Sequence, residues 1–317
     1  MRMELLAGLL ALLLQPQPAL VAPEIVSFQE NPTLRGVLYK PDGPGPFPGL
    51  IYNHGSAPGM LNQQAFDALG PLFASRGWVF FAPYRRGQGL SATAGPFIGD
   101  EIAAARNKGT WVALLVTVPA SLLLFLLVAR KQRGWRRIVW GVSLGVVAVF
   151  AVYLSGARAG AAAMVRLLDT EHLSDQLSAA DWLQRQTFVE KHRIAVAGNS
   201  FGGIEAVLGA ERTSYCAAID ASGGADSWAS APQLRVRMAR AVRHSNAPIF
   251  FFQAENDYDL SPSRILSAEM QDAGKVFELK IYPAFGKSAA DGHSFAWAGS
   301  AVWADDVLRF LDAHCAG

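Results

Sequence analysis

Three residues spread across this chain combine the right types and order for acyl-transfer chemistry. The stretch "RIAVAGNSFGG" ends a short apolar run in Gly198-Asn199-Ser200-Phe201-Gly202, a G-x-S-x-G. Between a strand and a helix, that pattern makes a turn too tight for side chains beside the serine and holds its hydroxyl out at the end of a sheet. A serine hydroxyl is a poor nucleophile until a base accepts its proton, and the base needs an acid to orient it. Downstream, "FFFQAENDYDLSP" carries an apolar run into Asp257 and Asp259, and "DGHSFAW" supplies His293. Of six histidines, His293 and His314 follow both serine and acid in the order Ser, Asp, His, and His314 lies near the terminus. The pattern predicts Ser200 as nucleophile, His293 as general base in a Gly-containing loop, and Asp257 as orienting acid, with Asp259 as the other candidate. The plainer alternatives are a polar residue in a Gly-rich turn for Ser200 and solvated turn acids for the aspartates.

Acyl transfer also needs donors for the oxyanion that forms on the carbonyl. The backbone N–H of Phe201, directly after the nucleophile, is one candidate. The other comes from the turn "NHGSAPG", where Gly55 allows a tight backbone and Ser56 or Ala57 presents its N–H. "YRRGQGLS" borders the expected cleft, so Tyr84 and Arg85 are candidates for touching substrate. For at least one of Arg85 and Arg86, an ion pair with an acid such as Asp175 is the competing use. No elbow of glycines surrounds Cys216, which argues against a cysteine nucleophile.

The elements that must hold these groups are legible as alternation. Apolar runs at residues 24–30, 34–40, 47–55, 78–84, 193–198, 216–223, 247–255 and 277–284 predict strands. Helical patterning covers residues 63–76, 174–186, 201–210, 263–273 and 301–314. Two strands followed by strand–helix repeats predict an α/β fold with a mostly parallel sheet and helices on both faces. In such sheets the working residues gather at the carboxyl ends of the strands.

Apolar residues make up 51% of the 317 and charged residues 17%, more apolar than a typical soluble domain. The near-balance of 28 basic and 26 acidic residues gives no reason to expect a nucleic-acid partner. Residues 1–22 have the layout of a secretory signal or N-terminal anchor: Arg2, an apolar run, then a Pro- and Ala-containing stretch. Residues 111–129 and 138–155 carry no charge, and each is long enough to cross a hydrocarbon core of about 30 Å as a helix. Between them, residues 130–137, "RKQRGWRR", hold five basic residues in eight. The positive-inside rule makes that loop cytoplasmic and puts both halves of the enzyme on the extracytoplasmic side. The lipid bilayer is therefore an expected partner. Gly141 and Gly145 form a G-x-x-x-G suited to close helix approach. A soluble lid of two buried helices is the competing explanation of the two runs. The two cysteines, Cys216 and Cys315, read as unpaired small apolar residues, although an extracytoplasmic location would permit a disulfide. Nothing in the sequence sets the oligomeric state.

Taken together, "YNHGS", "APYRRGQGLS", "GNSFGG", "QAENDYDLSP" and "GHSFAW" resemble the α/β-hydrolase superfamily, in its dienelactone-hydrolase-like and prolyl-oligopeptidase-like branch. The transmembrane hairpin expected at residues 106–159 is a departure from the family, which usually has a short soluble helical connection there. The resemblance covers about residues 25–100 and 165–317 and implies an α/β-hydrolase fold, for a domain placed at residues 23–105 and 160–317. It implies Ser200 as nucleophile, Asp257 as acid, His293 as base, and backbone donors at Phe201 and near Ser56. Dienelactone hydrolases themselves use cysteine where this chain has Ser200. No metal or organic cofactor is implied. The expected substrate is a small ester, or a short acyl or peptide compound. Ester cleavage is expected over peptide cleavage because the sequence shows no propeller-like domain and no identifiable acidic pair to hold a peptide amino terminus. A non-catalytic receptor or scaffold on a hydrolase body is the reading from another class.

Overall fold

The structure, a computed structural model, describes residues 22–316. All but the last residue of the expected N-terminal signal or anchor lies outside them. Strands form at each place where alternation predicts one: β1 (Glu24–Glu30), β2 (Thr33–Tyr39), β3 (Phe47–Asn53), β4 (Val79–Pro83), β5 (Val189–Asn199), β6 (Ala218–Ala221), β7 (Ile249–Ala254) and β8 (Phe277–Tyr282). They make one sheet in the order β1-β2-β4-β3-β5-β6-β7-β8. β1 with β2 and β2 with β4 are antiparallel, and the remaining pairs are parallel.

Both faces of the sheet are covered, so its inner strands are apolar at successive positions, as parallel sheets require. In β7, Ile249 and Phe251 point into one core while Phe250 and Phe252 point into the other. Helices α1 (Gln63–Ser75), α8 (Ala289–Ala298) and α9 (Ser300–His314) close the second core. Helices α4 (Glu171–Gln184), α5 (Phe201–Arg212), α6 (Pro232–Arg243) and α7 (Ser261–Asp272) close the first.

The apolar insertion forms two long helices, α2 (Ile98–Ala129) and α3 (Trp135–Asp169). Both are longer than the uncharged runs, and their outer turns belong to the sheet domain: Ile98, Met164, Leu167 and Leu168 are buried in its first core. The insertion is thus continuous with two helices of the body rather than joined to it by linkers. By length and composition both helices can cross a membrane. Leu115 is 74% exposed and Val149 71% exposed, so their apolar faces are left without a protein partner among the described residues. The helices run antiparallel, with Gly109 against Ser155 and Ala159 and Gly141 against Phe125. Of the expected pair, Gly141 meets only the Phe125 ring and nothing lies near Gly145, so the close backbone approach is elsewhere. It occurs where Gly156 meets Thr110 and Gly160 meets Arg106. A Cβ on Gly156 would overlap the Thr110 hydroxyl, so the working G-x-x-x-G is Gly156 to Gly160, beyond the uncharged run.

The cysteines are paired, correcting the expectation of free thiols: a disulfide joins Cys216 to Cys315 across 99 positions, with Cα atoms 5.0 Å apart. The sheet brings residue 216, just before β6, beside the end of α9. Arg193 Nε also donates there, to the Cys315 carbonyl.

Candidate active site

Ser200 occupies the single residue between β5 and α5. Its φ of 55° and ψ of −119° are strained values for a residue with a side chain, a conformation that costs on the order of 1–3 kcal/mol and persists only where surroundings enforce it. Here the Ser200 N–H donates to the Ala221 carbonyl at 3.0 Å. Gly202 lies so close to the Asn53 carbonyl that a Cβ there would overlap it. The serine is therefore fixed at the carboxyl end of the sheet. It lines a cavity of about 320 Å³ together with Ser56, Asp226, Tyr258, His293 and Trp297.

His293 reaches that cavity from α8, not from the expected loop. Ser288 and Asp291 form a capping box, each side chain bonding to the other's backbone, and the helix starts at Ala289. The glycine that suggested a loop, Gly292, instead allows α8 to pack against the backbone of Asn256 and Asp257. That contact delivers the imidazole: His293 Nδ1 lies 2.8 Å from Asp257 Oδ1. Asp257 Oδ1 also accepts the Tyr258 N–H at 2.7 Å, and Oδ2 accepts Gln253 Nε2 at 2.8 Å. Burial alone would raise the Asp257 carboxyl, but the bond and charge of His293, with hydrogen bonds from Ser222 and Gln253, hold it below the usual aspartate value. An ionised carboxylate can only accept, so it fixes the His293 proton on Nδ1 and leaves Nε2 as the lone pair. The Tyr258 ring packs 5.1 Å from the imidazole centroid. Asp259 is engaged otherwise, its Oδ1 accepting the Ser261 N–H at 2.8 Å at the start of α7.

Both oxyanion candidates border the serine. The Phe201 N–H belongs to the first turn of α5, whose amides have no partner within the helix. Across the cavity, the Gly55–Ser56 turn faces Ser200, and a Cβ on Gly55 would stand 3.6 Å from the Ser200 Cβ. The Gly55 carbonyl is held inward by Arg85 Nη2 at 2.6 Å. In a trans peptide the following N–H points the opposite way. Ser56, the next residue, lines the cavity with Ser200.

Arg85 and Tyr84 are corrections. Arg85 is 3% exposed, pairs with Glu205 Oε2 at 2.6 Å and donates from Nε to Gln88 at 3.2 Å. Tyr84 is fully buried, its hydroxyl donating to Gln63 at 3.2 Å. Neither lines the cavity, each being buried and held by these partners. Arg85 instead clamps the turn that carries Ser56. Arg86 pairs with Asp175. Sequence reasoning missed Ser222, Gln253 and the α8 helix. Only the last had a readable signal, the S-x-x-D spacing of Ser288 and Asp291.

Residues 143–312, more than half of the chain and including Ser200, Asp257 and His293, match the dienelactone hydrolase family. The chain belongs to the dienelactone hydrolase family. Solved structures similar to this family member share its α/β-hydrolase-like fold at low identity. One from Klebsiella pneumoniae, assigned as a dienelactone hydrolase, is 15% identical with a TM-score of 0.55, covering 93% of this chain and 98% of its own. Thermogutta terrifontis esterase 2 is 16% identical with a TM-score of 0.52, covering 94% and 98%. A puromycin-hydrolyzing peptidase of Mycobacterium tuberculosis is 15% identical with a TM-score of 0.59, but this chain, 95% covered, spans only 40% of it. No curated protein matches the chain in sequence. Family and fold together make this protein a hydrolase.

Proposed function

We propose that this protein is a membrane-anchored serine hydrolase that cleaves an ester through an acyl-enzyme on Ser200. The observation that carries the reading is the 2.8 Å contact of His293 with Asp257, made at the cavity that Ser200 also lines. Ser200 Oγ attacks the carbonyl carbon while His293 Nε2 takes its proton. The tetrahedral oxyanion is received by the Phe201 and Ser56 N–H groups. The C–O bond to the alcohol then breaks, and His293 gives the alcohol its proton. A water repeats the sequence with His293 as base, so one ester and one water yield one acid and one alcohol.

The body is proposed to face the extracytoplasmic side, with α2 and α3 crossing the bilayer and loop 130–137 in the cytoplasm. The basic loop supports this orientation. The Cys216–Cys315 disulfide supports an oxidising compartment. Hydrolysis of p-nitrophenyl butyrate by the purified full chain tests the enzyme reading. Wild type turns over, while Ser200→Ala and His293→Ala each lose on the order of 10³-fold or more in kcat. An inactive wild type, or a Ser200→Ala variant that keeps its rate, would return the protein to the scaffold class. A reporter fused within loop 130–137 that proves extracytoplasmic would reverse the orientation.

A further inference from the structure

A second cavity, of about 560 Å³, opens where α2 and α3 leave the sheet domain. At one end its wall is Phe201, the residue after the nucleophile, and Asp226, which also lines the Ser200 cavity. At the other end its wall is Val149, Val152 and Tyr153 of α3. These three lie inside the uncharged run that ends at Ser155. At 1.5 Å per residue, Val149 is about 9 Å of helix inside that end. If the run spans the bilayer as proposed above, the cavity reaches from below the membrane surface up to the elbow of the nucleophile. Its lower wall is aliphatic and aromatic, and its two charged side chains, Arg106 and Asp226, stand above, among Ile102, Met164 and Phe201. Arg106 has no acidic partner among the described residues.

We infer that this cavity is the entry path and acyl-chain site for an ester-bearing amphiphile drawn from the bilayer, so that the hydrolase acts on long-chain lipid esters. The inference rests on the serine-hydrolase and membrane readings above and names the substrate class for the same site. A bilayer lipid carries its polar group at the interface and its chain in the hydrocarbon, and the charged side chains of the cavity, Arg106 and Asp226, lie toward its upper end while apolar surface runs its length. An acyl chain leaving the bilayer along α3 stays against apolar surface while its ester rises toward Ser200, so its passage exposes little hydrocarbon to water. The helices would then be part of the substrate site as well as an anchor. Ser200 exchanges the lipid alcohol for its own Oγ, and water releases the chain as a fatty acid.

The test compares p-nitrophenyl palmitate with p-nitrophenyl butyrate, using full-length protein in phosphatidylcholine vesicles. Wild type is expected to prefer palmitate in kcat/KM. Val152→Trp and Ser230→Trp, from opposite walls, should each lower the palmitate-to-butyrate ratio at least tenfold. Butyrate turnover and fluorophosphonate labelling should remain within twofold of wild type, which also shows that the variants are folded. Leu115→Trp, on the outer face of α2, should leave the ratio unchanged. No chain-length preference in wild type, or an unchanged ratio in both wall variants, overturns the inference while leaving the hydrolase reading intact. Absence of both labelling and butyrate turnover in wild type fails the hydrolase reading itself.

Discussion

Asp257 Oδ1 holds His293 Nδ1 at 2.8 Å, while Asp259, two residues on, holds the Ser261 N–H at 2.8 Å. The two acids leave the same strand but do different jobs. Asp257→Asn places an amide donor where the imidazole N–H needs an acceptor and favours the wrong tautomer. We expect a fall in kcat on the order of 10⁴-fold, by analogy with the loss when a serine-protease aspartate becomes asparagine. Asp259→Ala removes only a helix-start bond and should cost about 1 kcal/mol of stability, with kcat within twofold. Paired measurements of kcat and Tm on the two variants separate the roles. Equal kinetic damage from both would undo the assignment.

Arg85 is expected to behave as a positioning residue rather than a substrate ligand. Replacing it with alanine frees the Gly55 carbonyl and leaves Glu205 buried without its partner. The loss should be about 3–5 kcal/mol of stability. In any fraction that still folds, kcat should fall on the order of 10²-fold through the misaimed Ser56 N–H, with KM nearly unchanged. A variant with raised KM, normal kcat and normal Tm would restore Arg85 to substrate binding.

The sheet was legible because its inner strands alternate between two cores, as Ile249 through Phe252 do, and the turn at Ser200 was legible because its glycines answer a backbone demand. The sequence also named the two partners of the 2.8 Å contact, His293 from its place after the last strand and Asp257 from its place just past β7. What stayed hidden depends on contacts between segments distant in sequence. The inward turn of Arg85 is set by Glu205, 120 residues away. The disulfide is set by where the sheet leaves residue 216 relative to the last helix. Helix α6 was readable in principle, with Pro232 in its first turn and Leu234, Met238, Ala241 and Val242 along one face. Its arginines masked that pattern.

Asp220, at the end of β6, gives the fold a pH dependence. Its Oδ1 accepts the Gly223 N–H at 2.8 Å, and Oδ2 has no partner among the described residues. Burial, only partly offset by the Gly223 bond, pushes its carboxyl from 3.8 up to about 7. Below about pH 4 both folded and unfolded chains hold this proton. Between about pH 4 and pH 7 the unfolded chain releases it and the folded chain keeps it, so the contribution to stability falls as pH rises, by something on the order of 2–4 kcal/mol. Asp220→Asn keeps the shape and cannot ionise. Its Tm relative to wild type should therefore climb between pH 5 and pH 8, and a difference that stays flat across that range would contradict the burial argument.

The disulfide should matter for stability and not for turnover, because it lies at the amino ends of the strands while Ser200 lies at the carboxyl ends. Closing a loop of 99 positions, it should contribute about 2–5 kcal/mol. Cys315→Ser, or reduction of the wild type, is expected to lower Tm by several degrees and leave kcat on p-nitrophenyl butyrate within twofold. An unchanged Tm, or two free thiols by titration of the unfolded, unreduced protein, would remove the bond from the account.

The claim on which the rest depends is that Ser200 is the nucleophile. Peptide mapping by mass spectrometry, after reaction of the full-length protein with a fluorophosphonate, reads it directly. The account predicts one phosphonyl adduct per chain on the peptide containing Ser200, slowed at least a hundredfold by His293→Ala and absent in Ser200→Ala. An adduct at another residue, or labelling that survives Ser200→Ala undiminished, would contradict it.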